Sequence, residues 1–133
     1  IAYPTDTIYG FGCDSKNDVA IKKLNKLKKR SGPISVIAPN KRTAIDWMSI
    51  EKNQESKVRS KLVNGNTVIV AAKKNICSNL IMGNASTLGI RIPKHDFCKK
   101  LSTLFPNPIT STSANINGEN PYTKAEDISK ISR

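Results

Sequence analysis

Asn17-Asp18-Val19-Ala20-Ile21-Lys22-Lys23-Leu24-Asn25-Lys26-Leu27-Lys28-Lys29-Arg30-Ser31-Gly32-Pro33-Ile34-Ser35-Val36-Ile37-Ala38 changes its hydrophobic period part-way along. In the first half Val19, Ala20, Ile21, Leu24 and Leu27 recur at helical spacing. Asn17 or Asp18 can cap that helix, and Gly32-Pro33 stops it. Residues 34–38 are then short, apolar and β-rich, the pattern of a buried strand. A helix followed so closely by a buried strand predicts an α/β protein.

The same alternation runs outward. Residues 1–3 read as the end of a strand, and 67–72 as a strongly β-branched one. Residues 89–92 form a short strand closed by Pro93, and 109–113 a further strand. Helical patterns cover 41–49, 55–63 and 124–131. Residues 95–104 predict another helix, with Phe97, Cys98, Leu101 and Leu104 on one side. The 133 residues suffice for one domain with a core and are too few for two.

Composition narrows the function classes. No run approaches the roughly 18 apolar residues of a membrane span. The first ten residues lack the basic and apolar segments of a signal peptide. A soluble cytoplasmic domain is the expectation. Lys and Arg total 22 against 10 Asp and Glu, a formal charge of +12. Such a field attracts nucleotides, RNA or acidic membrane, although a Lys-rich surface also arises from composition alone. Cys13, Cys77 and Cys98 are odd in number and lack paired metal spacing, so neither a disulfide framework nor a zinc site is expected. His95 is the only histidine, which excludes a multi-histidine metal site.

Four clusters could carry chemistry. Tyr3-Pro4-Thr5-Asp6-Thr7-Ile8-Tyr9-Gly10-Phe11-Gly12 places hydroxyls, a carboxylate and two glycines directly after a strand, where α/β sheets bind ligands. An ordinary polar turn has the same composition. Lys28 and Arg30 converge only if their helix stops there, and could then grip phosphate. A solvated helix end is the alternative. Arg91 interrupts an apolar strand in Thr87-Leu88-Gly89-Ile90-Arg91-Ile92-Pro93 and needs a ligand, a partner or water. In Thr110-Ser111-Thr112-Ser113-Ala114-Asn115, an extended chain puts Ser111, Ser113 and Asn115 on one face. Ser and Asn serve turns equally well.

The order and spacing of these clusters go further than any one of them. Tyr-Pro-Thr-Asp-Thr-x-Tyr-Gly, Lys-x-Arg after a helix, Gly-x-Arg-x-Pro and Ser-Thr-Ser-Ala-Asn together resemble the YrdC-like family, over residues 1–123. The resemblance implies a twisted, mixed, open α/β sheet with flanking helices around a basic concave cavity. It implies synthesis of L-threonylcarbamoyladenylate from L-threonine, bicarbonate and ATP, with pyrophosphate released and Mg²⁺ carried by the nucleotide. A separate tRNA-modifying complex would take the product. By the same resemblance, Lys28, Arg30, Ser113 and Asn115 form the catalytic cluster. Arg30, Thr87 and Ser113 would bind ATP, and Thr7, Arg91 and Ser111 would bind threonine. No protein-held metal is implied. A basic cavity that binds RNA without catalysis is the alternative.

The chain also departs from the family pattern. A single domain over 1–133 is expected, without the usual first strand and the C-terminal closing segment. The loop between Arg30 and Pro33 is short, and residues 35–38 lack a histidine many members carry. A Pro-Gly-Pro-x-Thr motif is reduced to Asn64-Gly65-Asn66-Thr67.

Overall fold

The computed structural model describes residues 1–131. Six strands form one mixed sheet: β1 (Ala2–Pro4), β2 (Tyr9–Phe11), β3 (Ser35–Ile37), β4 (Val68–Ala71), β5 (Thr87–Arg91) and β6 (Ile109–Ser113), in the spatial order β1-β2-β6-β3-β5-β4. Only β3 and β5 run parallel, and every other neighbouring pair is antiparallel. β6 lies between β2 and β3, so its backbone is bonded on both sides. That inner position makes it a rigid platform for its serines.

Among the described residues five α-helices flank the sheet: α1 (Asp18–Lys28), α2 (Lys41–Asp46), α3 (Glu55–Lys61), α4 (Asp96–Leu104) and α5 (Ala125–Ser129). The Asn17 side chain caps α1 by accepting from the Ala20 N–H at 3.0 Å. Ile21 and Leu24 point into the core, but Val19 is 64% exposed, so the buried face is narrower than the apolar spacing suggests. The same correction applies to α4. Cys98 is buried there, while Phe97 and Leu104 face water.

α1 ends before Gly32-Pro33. Lys29 adopts a left-handed conformation (φ 53°), and the Arg30 N–H reaches back to the Asn25 carbonyl at 3.0 Å. A lysine there costs roughly 1–2 kcal/mol relative to an ordinary conformation. The kink parts Lys28 from Arg30. Gly32 (φ +114°) then turns the chain into β3. α2 also stops short of residue 49, because residues 47–49 leave the helix to bond with 71–73 beside β4.

The main core packs Ile21, Leu24, Val36, Leu88 and Ile90 with Met48 and Ile81. A second, smaller cluster of Tyr3, Ile37, Cys98 and Ile109 lies under α4. Tyr3 belongs to this core rather than to the polar turn it begins. It is 1% exposed, donates its hydroxyl proton to the Thr110 carbonyl, and burial pushes its pKa up to about 12.

Candidate active site

Two adjoining hollows lie along the sheet. The first, about 200 Å³, is lined by Thr7, Arg91, Ser111 and Ser113 among others. The second, about 280 Å³, is lined by Thr87, Pro33, Ile69 and Gly83 among others. Ser35 of β3 lines both. Gly89 makes room for it, since a Cβ there would stand 2.5 Å from the Ser35 Oγ. Thus all three residues expected to bind threonine line one hollow, and Thr87 lines the next.

The turn after β1 builds the mouth of the first hollow. Thr5 Oγ1 donates to the Ile8 carbonyl at 2.5 Å and accepts from the Thr7 N–H at 3.2 Å. These bonds fold the turn locally and present Thr7 at an exposed rim. Arg91 ends β5 opposite. Its Nη2 pairs with Asp6 Oδ1, and both side chains are mostly buried, at 16% and 15% exposed. Its Nε is buried without a partner.

Lys28 sits differently from a surface phosphate grip. It is 2% exposed. Its ammonium donates to the Ser113 carbonyl, to the Asn115 carbonyl at 3.0 Å and to Asn115 Oδ1 at 2.9 Å. An ammonium has three donors, and here all three meet protein oxygens. Ser113 Oγ donates to the same Asn115 Oδ1 at 2.5 Å. The Phe11 ring lies 5.9 Å from the Nζ. With no carboxylate in the knot, burial, and then the Arg30 charge, lowers the Lys28 pKa to about 8.

Asn115 reaches this knot by a turn. β6 ends at Ser113, and the Asn115 N–H bonds the Ser113 carbonyl at 3.0 Å. The side chains meet, but not through period-2 alternation. Arg30 points elsewhere, donating from Nη2 to the Pro33 carbonyl at 2.9 Å. That places it beside the second hollow, which Pro33 lines. Lys28, Ser113 and Asn115 therefore touch one another, while Arg30 stands on the Thr87 side.

Ser35 and the Asp6–Arg91 pair join the expected residues at the site. Ser35 had a signal, as the one polar residue in an otherwise apolar strand. Asp6 had none beyond its place in the turn. A broader open hollow of about 920 Å³, lined by Asp14, Asp18, Cys77 and Ser78 among others, contains none of the expected site residues. Among the described residues no group of three or more His, Cys, Asp or Glu could hold a metal. No helix among them is long and apolar enough to cross a membrane.

The family model described as Sua5/YciO/YrdC, telomere recombination, matches residues 1–132. The chain belongs to this family. A relative named threonylcarbamoyl-AMP synthase from Haemophilus influenzae (strain 86-028NP) is 34% identical, and the match covers 96% of this chain and 72% of that protein. The Sua5 of P. abyssi, solved in complex with L-threonine, superposes with a TM-score of 0.81 at 26% identity, over 97% of this chain and 38% of that one. E. coli YciO superposes with a TM-score of 0.82 at 18% identity, over 97% and 64% of the two chains, which bears on the fold alone. The six-stranded sheet described above is thus the Sua5/YciO/YrdC fold.

Proposed function

We propose that this chain carries the nucleotidyltransferase activity of a threonylcarbamoyl-AMP synthase, using L-threonine, bicarbonate and ATP to make L-threonylcarbamoyladenylate and pyrophosphate. One observation carries the reading: the Thr7–Arg91–Ser111 hollow adjoins the Thr87 hollow through Ser35, with Ser113 in the first and Arg30 beside the second. Two reactants bound side by side meet at that junction.

Arg91 is the natural partner for the threonine carboxylate, because a guanidinium matches a carboxylate with paired donors. Thr7 and Ser111 hold the remaining polar atoms. Arg30, Thr87 and Ser113 bind ATP. Lys28 and Asn115 act on the same cluster from behind, by fixing the backbone and hydroxyl of Ser113. The amino nitrogen of threonine forms a bond to the bicarbonate carbon, a carbon–oxygen bond breaks, and water leaves to give a carbamate. A carbamate oxygen then forms a bond to the α-phosphorus, and the bond from phosphorus to the pyrophosphate oxygen breaks. Such a step needs alignment and charge neutralisation more than covalent help. The fixed donors around Ser113 and the cation of Arg30 supply both.

Mg²⁺ enters on the phosphate oxygens of the nucleotide. Asp6, the carboxylate paired with the hollow's Arg91, is already engaged by Arg91 and by the Lys94 N–H. The work belongs to the cytoplasm, where ATP and tRNA are found, and a tRNA-modifying transferase complex consumes the product. Direct RNA contact fits the outer face of α1. Lys22, Lys23 and Lys26 are exposed there, with exposed Lys29 just past the helix end, and the ion pairs among the described residues involve none of them.

Pyrophosphate release with ATP, Mg²⁺ and bicarbonate, measured with and without L-threonine, tests the reading. Threonine-dependent release is expected. A folded chain that binds RNA but releases no pyrophosphate would favour the RNA-binding alternative.

A further inference from the structure

We infer that Asp6 is a positioning residue for amino-acid recognition, resting on the proposed threonine site around Arg91. Asp6 holds Arg91 by Nη2 only. The buried Nε of the same guanidinium has no partner. A buried guanidinium donor without an acceptor is costly, so Arg91 is short of acceptors, and a ligand carboxylate in the hollow that it lines would give its guanidinium another.

Asp6 is itself fixed, so it does not follow Arg91 about. Its Oδ2 accepts from the Lys94 N–H at 3.2 Å. The backbone at Gly65 closes over it: a Cβ there would lie 2.5 Å from Asp6 Oδ2 and 3.5 Å from Arg91 Nη2. Asn64 and Gly65 are both left-handed (φ 56° and 70°), which lets the loop approach this closely. The result is a carboxylate post, anchored on two sides, that aims a cation at the hollow.

The pair also sets the charge of the site. Arg91 and Asp6 together are neutral, so the hollow suits a zwitterionic amino acid over a free polyanion. An Arg91 without its post would bind small anions indiscriminately and orient a threonine carboxylate poorly.

Asp6→Asn keeps the size of the side chain and an acceptor for the Lys94 N–H, and removes the charge. Equilibrium titrations of the full chain with L-threonine and separately with ATP read the effect without needing turnover. At least a tenfold loss of threonine affinity is expected, with ATP affinity within twofold; the unliganded melting temperature falls as well, because the buried Arg91 cation loses its anion. Inorganic phosphate should compete with threonine more strongly than in the parent. Unchanged threonine affinity would overturn the inference, as would parallel loss of threonine affinity and ATP affinity. A parent chain that binds ATP but no threonine would sink the amino-acid reading itself, and this inference with it. Should Asp6→Asn fail to fold, Asp6→Glu displaces the guanidinium while keeping the charge. The same selective loss is expected of it, and parent-like affinity would count against the inference.

Discussion

Lys28 and Arg91 are both cations held in the interior near the hollows, and the protein treats them in opposite ways. Arg91 has a carboxylate, Asp6, and the pair is neutral. Lys28 has only neutral oxygens from Ser113 and Asn115, with Arg30 adding to the positive charge nearby. A buried cation without an anion is expensive unless its hydrogen bonds are complete, and those of Lys28 are. The uncompensated charge remains available to a ligand. Lys28 behind Ser113 and Arg30 beside the Thr87 hollow therefore suit a triphosphate, and the Arg91–Asp6 pair suits an amino acid with no net charge.

The contrast breaks most sharply at Lys28. Lys28→Met should remove the field and take one hydrogen bond from each of three acceptors around Ser113. A loss of about 100-fold in kcat/KM for ATP is expected, the 2–3 kcal/mol scale of one preorganised electrostatic contact. Steady-state kinetics at saturating threonine read it. A loss confined to threonine KM would assign the net charge to the wrong substrate.

Arg30→Gln should act more mildly, raising the KM for ATP about tenfold and leaving that for threonine within twofold. It also removes the second cause of the lowered Lys28 pKa, so that pKa should rise above about 8. An NMR titration of the Lys28 ammonium measures the shift. The stability linkage has a definite sign. Between pH 8 and the 10.5 of an ordinary lysine, the unfolded chain binds more protons than the folded one. The cost of burying Lys28 is thus fully present below pH 8 and lifts as pH rises through that window. A folded-state pKa unmoved by Arg30→Gln would show that burial alone sets it.

Gly89→Ala should have the smallest effect. Its Cβ would displace the hydroxyl of Ser35, which lines both hollows. A few-fold rise in both KM values is expected, moving together. A rise in only one would assign Ser35 to that substrate and sharpen the division.

The α/β fold was legible because the periodicity of residues 17–38 changes within one short stretch, and the structure keeps α1 and β3 there. The ends of α1 and α2 were less legible. Lys29 takes a left-handed conformation without being glycine, and residues 47–49 leave their helix for a tertiary pairing. The outward faces of Val19, Phe97 and Leu104 show that apolar spacing reports a possible face, not its width. At the site, the spacing of Ser111 and Ser113 was readable from strand alternation. The meeting of Lys28 with Asn115 was not, since it depends on a kink and a turn far apart in sequence. Nor was Asp6, whose partner Arg91 is brought to it only by the sheet.

The pairing of β2 with β6 has a consequence for how the molecule comes into being. Gly10 stands opposite Ser113, so residues far apart in sequence form adjacent strands. Closing so long a loop is entropically slow, and contacts of this kind form late in folding. On the ribosome, the first turn and Lys28 emerge long before the strand that completes their surroundings. Until β6 docks, Lys28 has no oxygens to bond and stays in water. The nascent chain carries its basic residues without a nucleotide pocket, and gains that pocket in the same event that seats its central strand.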